Sequence, residues 1–410
     1  MGSEMCIRDS GCTMTENTVA RVRRIIAAGA VVVLAGGALA ACTIDRPGTA
    51  AESVEATEQE SEQHDPAVIS VEDGAEGVEP VEPVTVTSPD GLETVTMTNE
   101  EGKEVEGEFN GDKTEWTTAE PLGYGRQYTV EAVTAHGETS QSVFTTVVPD
   151  GQTHAYIGPM DGTEVGVAHA VNFYFDIAPG DRQAAQDAIT IETSNDTEGA
   201  FYWIDPDHLV WRPKEYWEPG TEVTVKSDIY GKDLGGGIYG AEDASSTFTV
   251  GDLVETLVDD NTKTLTVYRN GEEVKSFPVS LGRDGEFATP NGMYVVGDRN
   301  ESMTMDSTTF GLSLDSGGYR TNVNYATQLS WSGIYVHSAP WAIGALGSYN
   351  QSHGCINATP EDAQWFMNYV KQGDPVEVVN TSGETLSGLD GLGYWNLDWE
   401  TIKAGNADEG

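Results

Sequence analysis

Apolar and polar residues alternate in short runs between residues 84 and 252. Examples are VTVTS, RQYTVEAVTA and VNFYFDI, which are separated by stretches rich in Gly, Pro and Asp. Successive side chains of a strand point to opposite faces, so this alternation predicts strands with one buried face. Many short strands joined by regularly spaced turns are typical of β-sandwiches. The pattern therefore predicts a mainly β fold.

An internal repeat divides this region into two parts. Five positions recur 95 residues further along the chain with identical or apolar residues. The pairs are Trp116 and Trp211, Gly125 and Gly220, Tyr128 and Val223, Thr129 and Thr224, and Val130 and Val225. We predict two tandem Ig-like β-sandwiches, at residues 84–149 and 150–250, in which the matched tryptophans belong to the cores.

A third, mostly β domain is predicted at residues 251–380. The run TLTVYRNGEEVKSFPVSLG contains Asn270-Gly271 between two strand-like segments, which indicates a hairpin. One helix is predicted to start at Thr359, because Thr is a favourable N-cap and Pro360 suits the first turn. Apolar residues follow at helical spacing, and Gly373 is expected to end the helix. They are Ala363, Phe366, Met367 and Val370.

A polar tail at residues 381–410 carries Trp395 and Trp399. Tryptophan buries a large apolar surface. We therefore predict that this tail packs back onto the third domain.

The N-terminal region has the features of an export signal. Arginines precede an apolar run, Ile25–Ala41, that is short for a membrane-spanning helix of roughly 20 residues. Residues 14–41 are therefore predicted to be a lipoprotein signal peptide, with a signal anchor as the alternative. The sequence LAAC ending at Cys42 resembles the bacterial lipobox, which implies a lipid on Cys42 that anchors an exported protein to the cell membrane, facing the cell wall.

Two further N-terminal segments are predicted to lie outside the folded domains. Residues 1–13 precede a plausible start at Met14 and are interpreted as a non-native start. Residues 42–83 are rich in Glu, Ala, Ser, Thr and Pro and contain few aromatic residues. This composition predicts a disordered acidic tether.

The charge excludes one class of function. The chain has 21 Lys and Arg against 67 Asp and Glu, a formal net charge of -46. Proteins that bind nucleic acid use a basic surface to neutralise phosphates. Nucleic acid is therefore not an expected partner, and the acidity is typical of a solvated, self-repelling surface.

Cysteine usage draws attention to Cys355. If Cys6, Cys12 and the lipidated Cys42 are set aside, Cys355 is the only cysteine left for the mature chain. An unpaired cysteine in an exported protein suggests a reactive thiol. A small buried apolar side chain is one alternative. A zinc site with His337 and His353 is another, although structural zinc sites normally have four ligands, often in CxxC pairs.

The surroundings of Cys355 favour nucleophilic chemistry. A cysteine nucleophile acts as the thiolate and needs a nearby base. His337 ends the strand-like run GIYV, and the intervening loop is long enough to return the chain beside that strand. Gly354 removes side-chain bulk next to the thiol, where backbone N–H groups could stabilise an oxyanion. His337 and Cys355 are thus a candidate catalytic pair that requires no metal or cofactor.

Two motifs carry a family resemblance. His337-Ser338 followed by Ser352-His353-Gly354-Cys355-Ile356-Asn357 resembles the signature of L,D-transpeptidases with a YkuD-type catalytic domain. TPNGMY, at residues 289–294, resembles the TPxGxY segment of the same family. The resemblance covers residues 251–380, and the preceding sandwiches and the tail resemble mycobacterial-type lipoprotein members.

The resemblance implies a role for each matched residue. Cys355 would be the nucleophile, His337 its base, and the carbonyl of Ser338 would orient the imidazole. Backbone N–H groups of Gly354 and Cys355 would bind the oxyanion, and His353 would have a structural or supporting role. The donor substrate would contact Tyr319, Ser332, Gly333 and Asn357.

The implied reaction consists of two acyl transfers on peptidoglycan. Cys355 would take the acyl group of a donor tetrapeptide stem and release D-alanine, and an amine of an acceptor stem would then form a 3→3 cross-link. Carbapenem β-lactams would be covalent inhibitors. Three alternatives remain. The acyl group could be transferred to water, as in an L,D-carboxypeptidase, or to an amine of another protein, which would anchor that protein to the wall. The third alternative is a non-enzymatic wall-binding lipoprotein.

Overall fold

The structure is a computed structural model that describes residues 64–311 and 313–409. The predicted non-native start, the signal peptide, Cys42 and residues 43–63 of the predicted tether lie outside the described residues. Within the described part of the chain, no helix is long and apolar enough to cross a membrane.

The first domain is a β-sandwich of two four-stranded sheets, in the orders β1-β3-β6-β5 and β2-β8-β7-β4. Their alternating residues meet in a core that includes Val86, Met97, Val130 and Phe144. The strands are β1 (Val68–Ile69), β2 (Glu76–Val78), β3 (Thr85–Thr87), β4 (Leu92–Asn99), β5 (Gly107–Phe109), β6 (Glu115–Thr118), β7 (Gln127–Thr134) and β8 (Thr139–Thr146).

The prediction that the disordered tether reaches residue 83 is wrong for residues 64–83. Strand β1 pairs with β3, and β2 pairs with β8 in parallel. Ala67 is buried in the core, and Ile69 and Val78 pack against it. These few apolar residues bind the segment to the sandwich despite its acidic composition, because their neighbours across the sheet supply the hydrogen bonds and apolar surface that the segment lacks alone.

The second domain repeats the same architecture. Its main sheets have the orders β10-β12-β15-β14 and β11-β18-β16-β13, and β17 pairs with β9 beside them. These orders match those of the first domain strand for strand, which confirms two tandem sandwiches. The elements are β9 (Gly151–Thr153), β10 (Ala155–Gly158), β11 (Glu164–Val165), β12 (Val171–Phe175), helix α1 (Arg182–Asp187), β13 (Ile189–Thr193), β14 (Gly199–Asp205), β15 (His208–Pro213), β16 (Glu222–Ser227), β17 (Ile238–Gly240) and β18 (Ala244–Val250).

The repeated tryptophans are core residues, as predicted. Trp116 on β6 and Trp211 on β15 are only 3% and 8% exposed. Each ring lies on a glycine of the neighbouring edge strand, and a Cβ at Gly107 or Gly199 would come within 2.1 Å of that ring. The same tryptophan–glycine contact in both domains explains why this position repeats.

The third domain combines a five-stranded sheet, β21-β20-β19-β27-β22, with a four-stranded sheet, β23-β24-β25-β26. Asn270 and Gly271 form the predicted hairpin turn, and both have positive φ angles, 53° and 82°. The elements are β19 (Val254–Asp259), β20 (Thr264–Arg269), β21 (Glu272–Pro278), β22 (Gly292–Val295), β23 (Arg299–Asp306), β24 (Arg320–Gln328), β25 (Tyr335–Ser338), β26 (Ile356–Ala358), α2 (Pro360–Tyr369) and β27 (Pro375–Val379).

Helix α2 begins where the sequence predicts and ends earlier. The Thr359 hydroxyl accepts from the backbone N–H of Asp362, which caps the first turn. Residues Ala363, Phe366 and Met367 are buried against the sheets. The helix ends at Tyr369 rather than near Gly373, because Val370 adopts an extended conformation with its side chain buried in the core.

The C-terminal tail, which includes helix α3 (Trp399–Ala404), contacts two domains, whereas the prediction named only the third. The Tyr394 hydroxyl donates to the carbonyl of Ala168 and accepts from the N–H of Ala170, each at 3.0 Å, in the second sandwich. The Asn396 side chain binds both backbone groups of Met293 in the third domain. The tail therefore connects the second sandwich to the third domain through these hydrogen bonds.

Short 3-10 helices occupy several connections. They are Ser307–Phe310, Leu314–Ser316, Pro340–Ala342, Tyr394–Asn396 and Ala407–Glu409.

Candidate active site

Parallel pairing of β25 with β26 brings the two predicted catalytic residues together. His337 on β25 is aligned with Asn357 on β26, and Cys355 directly precedes β26. A cavity of about 310 Å³ lies at this end of the sheet. Its lining residues are Met305, Tyr319, Thr321, His337, Trp341, Gln351, Ser352, His353, Cys355 and Asn357.

The thiol of Cys355 is buried and protonated. The side chain is 5% exposed, and its Sγ donates a hydrogen bond to the carbonyl of Gly333 at 3.4 Å. Burial raises the pKa of the thiol to about 11, and a hydrogen bond from the backbone of Tyr335 opposes this effect. The cysteine therefore rests as a neutral thiol at neutral pH.

His337 has a defined orientation. Its Nδ1 donates to the carbonyl of Ser338 at 3.0 Å. The family resemblance implied a contact with this carbonyl but not which ring nitrogen makes it. This tautomer leaves Nε2 as the atom that can accept a proton. Burial lowers the pKa of the imidazole, so it is neutral and suited to act as a base. The resting thiol, however, is hydrogen-bonded to Gly333 rather than to His337.

His353 is bonded through one ring nitrogen to Arg283. Nε2 accepts from Nη2 of Arg283 at 2.9 Å, because a guanidinium can only donate. Burial and the charge of Arg283 lower the pKa of this imidazole. His353 is therefore held beside the cavity with its Nε2 occupied by the guanidinium.

Gly354 contributes its conformation to the site. Its φ angle is 125°, a region that residues with a side chain rarely adopt, and a Cβ would come within 2.8 Å of Ile334. Its N–H donates to the Ser352 hydroxyl at 3.1 Å. In this structure the Ser352 hydroxyl is the partner of that N–H, and the oxyanion role of the Gly354 and Cys355 N–H groups stays a prediction.

The predicted substrate-contacting residues fall into two groups. Tyr319 and Asn357 line the cavity, as does His353. Gly333 is beside the cavity, with its carbonyl on the thiol. Ser332 does not line the cavity. The Asp390 carboxylate accepts from its N–H at 3.0 Å and from that of Trp331 at 2.7 Å.

The sequence matches two known domain families. Residues 255–378 match the L,D-transpeptidase catalytic domain, and residues 75–233 match a bacterial Ig domain. The chain is 50% identical to L,D-transpeptidase 2 of Mycobacterium tuberculosis over 344 residues, which are 82% of this chain and 84% of the relative. This chain belongs to the L,D-transpeptidase family. It is an enzyme of the transpeptidase type.

Other relatives cover less of this L,D-transpeptidase. L,D-transpeptidase 1 of M. tuberculosis is 37% identical over 58% of this chain and 91% of its own length. A solved structure of LdtMt1 in complex with imipenem is 36% identical, covers 57% of this chain and all of its own, and has a TM-score of 0.49.

The structure adds residues to the transpeptidase site that sequence reasoning missed. Trp341 is 57% exposed and lines the cavity. The Thr289 hydroxyl donates to the carbonyl of Gly354 at 2.7 Å. The TPNGMY motif therefore holds the residue that precedes the nucleophile. Asp390 in the tail fixes the loop that carries Gly333. Only Thr289 had a signal in the sequence, because it belongs to a recognised motif.

One group of possible metal ligands lies in the first sandwich. The side chains of His64, Asp90 and His136 bring their ligand atoms within 4.8 Å of one another. The two imidazoles are stacked with their centres 3.6 Å apart and their planes 1° from parallel. Two parallel rings cannot both direct a nitrogen at one ion, so this arrangement is not that of a metal site.

The raised thiol pKa predicts a pH dependence for alkylation of this transpeptidase. Only the thiolate reacts with iodoacetamide, and its fraction rises about tenfold per pH unit below the pKa. The rate at Cys355 should therefore keep rising from pH 7 to about 11, the pKa of the folded thiol. Peptide mapping measures the rate at this residue, and the unfolded chain is the control, with a profile that levels off earlier. A rate already constant at pH 7 would mean that the thiolate is formed at rest.

Proposed function

We propose that this enzyme forms 3→3 cross-links between peptidoglycan stems through a thioester on Cys355. The observation that carries the proposal is the shared cavity of Cys355 and His337, in which Nδ1 of the imidazole is held by Ser338 and Nε2 is left as the proton acceptor. This arrangement supplies a nucleophile and an oriented base. The substrate is a donor tetrapeptide stem and an acceptor stem.

The first acyl transfer releases D-alanine. As Sγ attacks the carbonyl of the third stem residue, Nε2 of His337 takes the thiol proton. The peptide C–N bond then breaks, the leaving amine takes that proton, and the thioester remains. Because the thiol and the imidazole are both neutral at rest, this step is general-base catalysis within the substrate complex.

The second transfer forms the cross-link. The side-chain amine of an acceptor stem attacks the thioester, loses its proton to His337, and displaces the thiol of Cys355. The thiol regains a proton from the imidazole, which restores the resting enzyme. The new amide retains the acyl group of the broken peptide bond, so the reaction requires no ATP.

Mass spectrometry of muropeptides tests the proposal. Purified protein is incubated with disaccharide-tetrapeptides, and 3→3 linked dimers together with free D-alanine are expected. Products that contain only tripeptide stems would indicate an L,D-carboxypeptidase instead. Stems joined to a protein amine would indicate an enzyme that anchors proteins to the wall, and unchanged stems would contradict the proposed reaction.

The same thiol is expected to react with carbapenems. A strained lactam presents an acyl carbon that a cysteine nucleophile can open to form a stable thioester. The cavity residues that would face the lactam include Tyr319, Trp341 and Asn357. We infer that carbapenems acylate Cys355 and block the site.

The location of the enzyme remains a prediction from the sequence. We propose that the protein is exported and held by a lipid on Cys42 at the cell membrane, facing the wall. The support is the LAAC sequence after the apolar run, and the two sandwiches would then separate the active site from the anchor.

A further inference from the structure

Arg283 belongs to a loop that is bonded to the segment carrying the nucleophile. The loop connects β21 and β22, and the N–H of Arg283 donates to the carbonyl of Ser352 at 3.0 Å. Gly282 packs directly on Gly354, since a Cβ at Gly282 would come within 2.8 Å of the Gly354 Cα. The backbone of Arg283 is thus fixed near Cys355.

The guanidinium of Arg283 is held at the edge of the cavity. Nη2 donates to Nε2 of His353, a cavity-lining residue, at 2.9 Å, and the guanidinium carbon lies 4.8 Å from the centre of the Phe287 ring. A guanidinium has five N–H donors. These two contacts orient the group and leave donors for a ligand, and the side chain is exposed to solvent.

Arg283 has no carboxylate partner among the described residues. Five other cations of the described third domain form ion pairs with carboxylates, and Arg299 instead donates to the backbone carbonyls of Met367 and Val370. The paired cations are Lys263, Arg269, Lys275, Arg320 and Lys371.

Two acids lie on the same loop as Arg283. Asp284 accepts a hydrogen bond from the Ser382 hydroxyl at 3.1 Å, and Glu286 is exposed. In a chain with a net charge of -46, a cation oriented by His353 and Phe287 and unpaired beside the active site points to an anionic ligand.

We propose that Arg283 binds the terminal carboxylate of the donor stem, on the D-alanine that leaves. This inference rests on the proposed function. The carboxylate is one residue beyond the carbonyl that Cys355 attacks, so it reaches the edge of the cavity where His353 holds the guanidinium. Arginine binds carboxylates with two parallel hydrogen bonds. The contact selects donors that end one residue after the scissile bond.

Two synthetic donors test this role. One is a tetrapeptide stem with a free C-terminal carboxylate, and the other is the same stem with a C-terminal amide. The readout is kcat/KM for release of the last residue with a fixed acceptor amine. Wild type should prefer the carboxylate donor. In Arg283→Gln, kcat/KM for the carboxylate donor should fall about 10- to 100-fold, as expected for loss of a hydrogen bond to a charged group. Its kcat/KM for the amide donor should change little. Arg283→Lys should have a kcat/KM for the carboxylate donor between those of wild type and Arg283→Gln.

Matched controls separate binding from other effects. Arg269→Gln makes the same charge change in the same domain, at a residue paired with Asp252, and should leave the preference unchanged. Iodoacetamide reactivity of Cys355 should be unchanged in Arg283→Gln if the site is intact.

Three outcomes would count against the proposal. Equal loss on both donors would mean that Arg283 only positions His353, and an unchanged preference would mean that it does not contact the carboxylate. Failure of wild type on both donors would overturn the proposed function itself.

Discussion

Replacing Cys355 by serine should abolish cross-linking, even though serine is almost the same size. The hydroxyl is far harder to deprotonate than a thiol, and the site already keeps the more acidic thiol protonated, with a pKa of about 11. Loss of a nucleophile typically lowers kcat on the order of 10⁴- to 10⁶-fold. Muropeptide analysis should therefore find no 3→3 dimers above background.

A second substitution, Cys355→Ala, provides an independent readout. Intact-mass analysis of wild type after incubation with imipenem should show one adduct, mapped to Cys355, and Cys355→Ala should show none. Circular dichroism serves to verify that both variants are folded, which is expected because the substitutions are small. Cross-linking by folded Cys355→Ala, or an adduct on another residue, would refute the cysteine mechanism.

Replacing His337 by alanine should slow acylation by imipenem about 10²- to 10⁴-fold, the usual contribution of a positioned base. The neutral resting thiol depends on a proton acceptor when it attacks, and Nε2 of His337 is the acceptor that the hydrogen bond to Ser338 leaves available. Time-resolved intact-mass measurements give the rate. Added imidazole should restore part of it, because the deleted side chain leaves room in a buried site.

Two other histidines are controls for this result. His154 is a partly exposed residue of the second sandwich that pairs with Asp176, and His154→Ala should acylate at the wild-type rate. His353→Ala should have a smaller effect than His337→Ala, since Nε2 of His353 is already bonded to Arg283. If His337→Ala acylates normally while folded His353→Ala does not, the assignment of the base is wrong.

The second sandwich and the tail approach the catalytic machinery at one loop. Asp390 of the tail binds the N–H groups of Trp331 and Ser332. The Trp331 ring stacks on His208 of the second sandwich, with ring centres 5.0 Å apart. The next residue after Ser332 is Gly333, whose carbonyl holds the thiol. The loop that positions the nucleophile is therefore supported by parts of the chain outside the matched catalytic domain.

The sequence alone determined the features that depend on local patterns. Alternating residues predicted the strands, because one face of a sandwich sheet must be buried. The Asn270-Gly271 turn and the Thr359 cap were readable because single residues satisfy their backbone requirements. The repeated tryptophan showed two copies of one sandwich. The cysteine and histidine of the site were recognised because they belong to a compact motif with few competing cysteines.

Only the tertiary structure decided the features that depend on distant partners. Residues 64–83 look like a tether in sequence, but β1 and β2 gain their hydrogen bonds from strands formed by later residues. The contact of Arg283 with His353 joins residues 70 positions apart. Likewise, loop packing determines that the N–H of Gly354 bonds to Ser352 and that the thiol of Cys355 bonds to Gly333. Local periodicity carries no information on such contacts, because burial and long-range hydrogen bonding select them only when the whole chain is folded.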